Sequence, residues 1–126
     1  MSPPSKHFSK STLDSLHKSK ILGIRAGKEH RFTGIWVVVV KHRVFVRSWN
    51  NKKSGWYASF LQNPIGKISL SEREIAVRAK RVRGERLFDT IDQAYGEKYN
   101  TPGSQKYVRG FALASRRNTT LELIPK

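Results

Sequence analysis

The side chains best suited to hold a ligand are concentrated between Arg43 and Trp56. Arginine and aromatic side chains alternate along one predicted strand face, at positions 43, 45, 47 and 49, and a polar loop follows. Guanidinium groups and loop amides can hold a phosphate, while an indole can stack on a flat ring. The candidate ligand-binding residues of this segment are Arg47, Ser48, Asn50, Asn51, Lys52, Lys53, Ser54 and Trp56.

Three interpretations of this segment are open. A phosphorylated aromatic ligand would use both the cations and the indoles. Single-stranded nucleic acid would also use them, because it binds where aromatic platforms alternate with cations that follow its backbone. In the third interpretation, the aromatic side chains pack beneath a helix and the cations only face solvent. The residues alone favour this third interpretation.

No other part of the chain predicts a reaction. The chain has no cysteine, which excludes a thiolate metal site and a cysteine nucleophile, and its four histidines lack metal-ligand spacing, so we expect no metal. A phosphate-binding loop and a serine nucleophile elbow are absent from the sequence. Asp89 and Asp92 could imitate a paired-carboxylate site. Solvated charge is the better interpretation, because nothing predicts the burial that acid–base catalysis needs.

Hydrophobic patterning predicts the elements that would position the segment. Ile35–Val40 and Val44–Trp49 are apolar runs separated by a short polar break, which predicts an antiparallel hairpin. Trp56–Leu61 predicts a short helix that ends before Pro64. The same patterning predicts further strands at Lys67–Leu70, Glu74–Val82 and Thr119–Ile124. It also predicts a helix at Glu85–Tyr99 and a short helix from Thr12 to about Lys20 that Ser11 caps. The fold class is therefore α+β, built on an antiparallel sheet.

Length and charge limit the organisation of the chain and its partners. A chain of 126 residues has the usual size of one domain, and we expect a single domain over residues 11–126 after a flexible basic arm at residues 1–10. The net charge of +16 predicts an affinity for anions such as phosphorylated cofactors, nucleic acid or acidic lipid surfaces. The longest apolar run, Ile35–Val40, is too short to span a bilayer, and no secretory signal pattern is visible. These features favour a cytoplasmic protein with no membrane partner.

Five motifs, in this order, resemble a family of small, uncharacterised bacterial proteins. They are Gly34–Val39, Val44–Ser48, Gly55–Tyr57, Ile91–Tyr99 and Thr119–Pro125, and the likeness covers about residues 28 to 126. That family resembles the FMN-binding split-barrel proteins, the group of pyridoxamine phosphate oxidase and the deazaflavin-dependent nitroreductases. The resemblance implies a split β-barrel of about six antiparallel strands with two or three helices.

The resemblance also implies a ligand and a site. In those relatives a loop after a barrel strand, together with basic residues near the start of the barrel, holds the phosphate of FMN or a deazaflavin. The loop residues correspond here to Ser48, Asn50, Asn51 and Ser54. The residues near the start of the barrel correspond to Arg25, Gly27 and Lys28. We therefore expect a homodimer that binds a flavin or deazaflavin. If the protein is an enzyme, we expect an oxidoreductase in which the cofactor carries out the hydride chemistry. The alternatives are a nucleic-acid-binding module and a non-catalytic scaffold of the same fold. In the cofactor interpretation, nucleic acid would bind only weakly and without sequence preference.

Overall fold

The computed structural model describes residues 7–28, 31–49 and 55–126. Within them the chain forms one seven-stranded antiparallel sheet, with strands in the order β2-β1-β5-β6-β7-β4-β3. The strands are β1 (Leu22–Ala26), β2 (Thr33–Ile35), β3 (Val38–Val40), β4 (Arg43–Val46), β5 (Ile65–Leu70), β6 (Arg73–Arg81) and β7 (Leu121–Pro125). The helices are α1 (Lys10–Lys18), α2 (Trp56–Gln62), α3 (Glu85–Lys98), α4 (Gln105–Phe111) and α5 (Ala114–Arg117), with a 3-10 turn at Pro102–Ser104.

The sheet curls into a half-barrel because one short bend joins its two edge strands. β2 and β3 lie at opposite edges of the sheet, yet only Trp36 and Val37 separate them in the chain. Ile35 pairs with Leu22 at one edge, whereas Val38 pairs with Phe45 at the other. A flat sheet could not bring both edges to a two-residue connection, so the chain itself imposes the curvature.

Two apolar clusters stabilise this arrangement. The larger one fills the concave side of the sheet and includes Val44 and Val46 from β4. The smaller one lies between the convex side and the helices α3 and α4, and includes Phe45, Ile91 and Phe111. Strand β4 is therefore covered on both faces, and each such fully buried side chain contributes about 1.5–3 kcal/mol relative to exposure.

The predicted fold class is confirmed, with seven strands and more helices than the two or three expected. The predicted hairpin is present as β3 and β4, and the predicted helix at Glu85–Tyr99 is present as α3. The prediction of one strand over Ile35–Val40 is wrong, because the bend at Trp36 and Val37 divides it into β2 and β3.

Differences are larger at the N-terminal end. Helix α1 begins at Lys10, and Ser9 rather than Ser11 is its cap, with the Ser9 hydroxyl accepting from the Thr12 amide at 3.2 Å. Of the predicted basic arm, residues 1–6 lie outside the described residues, whereas Phe8 is buried in the larger cluster. Ordered structure thus extends N-terminal of residue 11.

Candidate functional site

An open cavity of about 500 Å³ lies where the β2–β3 bend, the chain after β4, the start of α2 and helix α4 meet. All three tryptophans of the chain line it. The remaining lining residues are largely apolar, with a few polar groups among them: Ile21, Thr33, Gly34, Ile35, Arg47, Ser48, Gly55, Tyr107 and Phe111. A mostly apolar concavity with few polar groups is the usual form of a small-molecule site.

The first wall of the cavity is Trp36, which lies in the bend between β2 and β3. Its ring stacks on Tyr99 with the ring centroids 3.9 Å apart and an interplanar angle of 5°. The Tyr99 hydroxyl accepts a hydrogen bond from the Val37 amide at 3.0 Å and donates to the Lys20 carbonyl oxygen at 2.6 Å. Tyr99, the residue after α3, therefore provides a hydrogen-bond acceptor for the Val37 amide, which lies between two strands and pairs with neither.

Lys98 reinforces the same bend from inside the protein. Its ammonium nitrogen donates to the carbonyl oxygens of Val37 at 2.7 Å and Leu16 at 2.9 Å. Burial lowers the pKa of Lys98 to about 8, and the neighbouring charge of Lys20 contributes to this lowering. Burial raises the pKa of Tyr99 to about 12. Both shifts follow from removing the charged form from water.

The second wall is Trp49, which is 39% exposed at the mouth of the cavity. Its ring meets Tyr107 and Phe111 edge to face, each with the centroids 5.4 Å apart. Glycine at position 110 allows this close packing, because a Cβ atom there would lie 2.3 Å from the Trp49 ring. Arg116 covers the indole with its guanidinium carbon 3.7 Å from the ring centroid, and its Nε donates to the Trp49 carbonyl oxygen at 2.8 Å.

The third wall is Trp56, the first residue of α2. The Gly55 carbonyl oxygen accepts from the Ser59 amide at 3.1 Å and also from the Ser59 hydroxyl at 3.1 Å, which fixes the first turn of the helix. Trp56 packs edge to face on Phe60, whose side chain is buried in the larger cluster. Trp49 and Gly55, the described residues on either side of positions 50–54, both line the cavity.

The sequence of the chain matches a known family. Residues 12–123 match the family described as "Uncharacterized protein conserved in bacteria (DUF2255)". The chain belongs to this family. The expectation of a family of uncharacterised bacterial proteins is thereby confirmed. No curated protein matches the chain significantly.

Two solved structures are similar to this member of the family. One is a conserved hypothetical protein from Mycobacterium tuberculosis, with a TM-score of 0.57 and 13% identity over 98% of this chain and 82% of that one. The other is described as an FAD-binding protein from Mesorhizobium loti, with a TM-score of 0.57 and 10% identity over 98% of this chain and 94% of that one. At these identities the likeness establishes a shared barrel-like fold.

Arg47, predicted to hold a phosphate, has internal partners for its guanidinium group. Its side chain is fully buried, and it binds the carboxylate of Asp92. Its other contacts are the Thr120 hydroxyl at 2.8 Å, the Phe111 carbonyl oxygen at 3.0 Å and the Phe88 carbonyl oxygen at 3.3 Å. All three guanidinium nitrogens therefore donate within the protein, and Arg47 joins β4 to α3, α4 and the start of β7.

The other predicted ligand residues divide into three groups. Ser48 and Trp56 line the cavity beside Arg47. Asn50, Asn51, Lys52, Lys53 and Ser54 lie outside the described residues. Arg25 is not among the lining residues, because it points to the outer side of β1, where its guanidinium lies 4.7 Å from the Phe32 ring and 3.9 Å from Glu74. Lys28 is exposed beyond Gly27 and is also not among the lining residues.

The carboxylates of α3 form an ion-pair cluster and not a free acid pair. Asp89 and Asp92 both bind Arg117, at 2.5 and 3.2 Å, and Asp92 also binds Arg47. Among the described residues, no three histidine, aspartate or glutamate side chains are grouped as a metal site would require.

Sequence reasoning missed Tyr107 and Phe111, which form much of the wall around Trp49. A signal for them exists, because positions 107 and 111 are four residues apart and lie on one face of α4. Ile21 and Thr33 also line the cavity, and no local pattern marks either of them.

Proposed function

We propose that the cavity binds a flavin or deazaflavin cofactor. The observation that carries this proposal is an open, ligand-sized cavity whose walls contain every tryptophan of the chain. The half-barrel fold, shared with a structure described as an FAD-binding protein, supports the same assignment. The volume of about 500 Å³ lies within the range of small-molecule sites.

The residues of the cavity fit the ring portion of such a cofactor. A flavin ring is flat and aromatic, and Trp36, Trp49 and Trp56 supply aromatic surfaces to the cavity wall. The hydroxyl-bearing residues Thr33 and Ser48 and the backbone at Gly34 supply the few polar groups that orient a ring with polar edges. Such a wall binds mainly by apolar burial and stacking.

The phosphate portion needs donors other than Arg47. The sequence-based proposal is that Asn50, Asn51, Lys52, Lys53 and Ser54 supply them, since the flanking residues Trp49 and Gly55 line the cavity. Arg116, which is not among the lining residues, adds a positive charge over the ring of Trp49. Cationic and amide donors together suit a phosphate group.

A bound flavin would supply the electron- or hydride-transfer chemistry. The chain would bind the ring, orient it and keep water from its buried side. That a substrate is oxidised or reduced there stays a prediction, as does the homodimer that the resemblance implies.

Ligand-dependent stabilisation tests the proposal. A site occupied at 100 times its Kd adds about 2.7 kcal/mol to the free energy of unfolding. We expect FMN, FAD or a deazaflavin to raise the melting temperature of the wild type and to act much less on Trp56→Ala. Leu61→Ala is the matched control, because Leu61 lies on the same helix, is 48% exposed and is not among the lining residues. An equal shift in both variants, or none in the wild type, contradicts the proposal.

A further inference from the structure

The strongest charged feature outside the cavity is a basic ridge that runs from the end of β6 into the start of α3. Residues 78–86 contain five basic side chains and one acidic one. All five basic side chains are exposed. We define the basic ridge by these residues, Arg78, Lys80, Arg81, Arg83 and Arg86.

The ridge cations have no ion-pair partner among the described residues. The one acid within the segment, Glu85, lies 3.4 Å from Arg117. Glu122 lies opposite Lys80 in the sheet but makes its ion pair with Arg43, at 2.8 Å. Both acids thus have an arginine partner outside the ridge, and no acid among the described residues pairs with a ridge cation.

Such an arrangement does not serve the stability of the fold. Like charges at neighbouring positions repel one another, and exposed cations without partners contribute little to folding. Arg78 and Lys80 lie on the same face of β6, and the exposed Arg83 and Arg86 follow them in the chain, so together they create a local positive potential. A polyanion is the partner whose charge this potential complements.

We propose that the basic ridge binds the phosphate backbone of a nucleic-acid duplex, without reading base sequence. Binding of single strands normally adds aromatic side chains on which bases stack, and residues 73–86 contain none. A membrane surface is less well matched, because the exposed large apolar side chains of the described chain lie at positions 21, 49, 61, 107 and 113, all outside the ridge. Contacts to phosphates alone position a duplex but carry no sequence information.

The test compares two variants with the same change in net charge. The ridge variant is Arg78→Gln/Lys80→Gln/Arg83→Gln, and the control is Lys10→Gln/Lys18→Gln/Lys41→Gln, which neutralises three cations on α1 and the β3–β4 turn. Affinity for a short fluorescent DNA duplex of mixed sequence is measured between about 50 and 200 mM salt. Melting temperatures establish that both variants are folded.

We expect the wild type to bind with a steep salt dependence that the control retains. The slope of log K against log salt should become shallower by up to about 2.7 in the ridge variant, or about 0.9 for each phosphate that the ridge no longer neutralises. Equal losses in the two variants would overturn the proposal, since net charge alone would then explain binding. Absence of duplex binding at low salt, or tighter binding to a single strand or to phosphatidylserine vesicles than to the duplex, would also overturn it. A flavin titration of the ridge variant is independent of these outcomes, because no ridge residue lines the cavity.

Discussion

Arg47 is the residue whose role the structure changes most. A strand-end arginine next to a polar loop resembles a phosphate ligand in the sequence, yet its side chain has no exposed area and its nitrogens bind Asp92, Thr120 and two backbone carbonyl groups. A buried cation with this many partners is a structural cross-link. Its position beside the cavity makes it a support of the wall.

Replacing Arg47 by Ala should therefore destabilise the domain. Removing one partner of a buried ion pair costs about 3–5 kcal/mol when the other charge is left uncompensated. This range is the upper limit here, because Asp92 is partly exposed and keeps its ion pair with Arg117. Arg43→Ala is the control, since Arg43 pairs with Glu122 at a half-exposed position and should cost no more than about 1 kcal/mol. Urea unfolding measures both. If Arg47→Ala is as mild as the control, Arg47 is available for a ligand and our account of it is wrong.

Lys98 should give the stability of the protein a distinctive pH dependence. Its pKa falls from 10.5 to about 8 on folding, so between these values the folded protein binds fewer protons than the unfolded chain. The free energy of unfolding should consequently rise with pH from about 8, by at most about 3 kcal/mol at 1.36 kcal/mol per pKa unit. Tyr99, with a pKa raised to about 12, opposes this rise above pH 10.

The comparison of wild type with Lys98→Met isolates this contribution. Methionine has no titrating group, so the rise between pH 8 and 10 should be absent from the variant, whatever its overall stability. Denaturant unfolding at several pH values measures the difference. Parallel pH profiles would mean that folding does not lower the pKa of Lys98.

At the scale of elements, the sequence pattern predicts those helices and strands that are determined by interactions between residues close in the chain. The hairpin of β3 and β4 and the helices α2 and α3 follow from runs and periodicities within a few residues. The bend at Trp36 and Val37 does not, because it is fixed by Tyr99 and Lys98, which are distant in the chain. Strand β1 escapes prediction for a related reason, since its place is set by pairing with β2 and β5 and by the burial of Leu22 and Ile24 in the larger cluster.

The contact between α4 and Trp49 makes a prediction at this scale. A Cβ atom at position 110 would lie 2.3 Å from the indole, so Gly110→Ala should displace Trp49 and destabilise the protein by about 1–3 kcal/mol. Gly96→Ala is the control, because the nearest atom to its added Cβ lies 3.8 Å away, and a helical alanine gains about 0.5–1 kcal/mol over glycine. Thermal unfolding and the tryptophan emission spectrum measure both effects. Equal behaviour of the two variants would contradict the described packing.

At the scale of the molecule, the half-barrel brings together residues that are far apart in sequence. The cavity takes its tryptophans from the bend, the end of β4 and the start of α2, and the aromatic residues of α4 complete it. From the sequence, Trp56 and Ser48 could be assigned to a common site, whereas Ile21 and Thr33 required the fold. The described part of the chain has no helix long and apolar enough to cross a membrane.

The measurement that tests the central claim most directly is intrinsic tryptophan fluorescence during titration with FMN, FAD and a deazaflavin. Because all three tryptophans line the cavity, a ring bound there lies close to every indole of the protein. We predict saturable quenching of most of the emission by at least one of these ligands, with quenching lost in Trp56→Ala and retained in Leu61→Ala. Emission that changes only in proportion to the absorbance of added ligand, up to millimolar concentration and for all three compounds, would contradict the claim that this cavity is a flavin site.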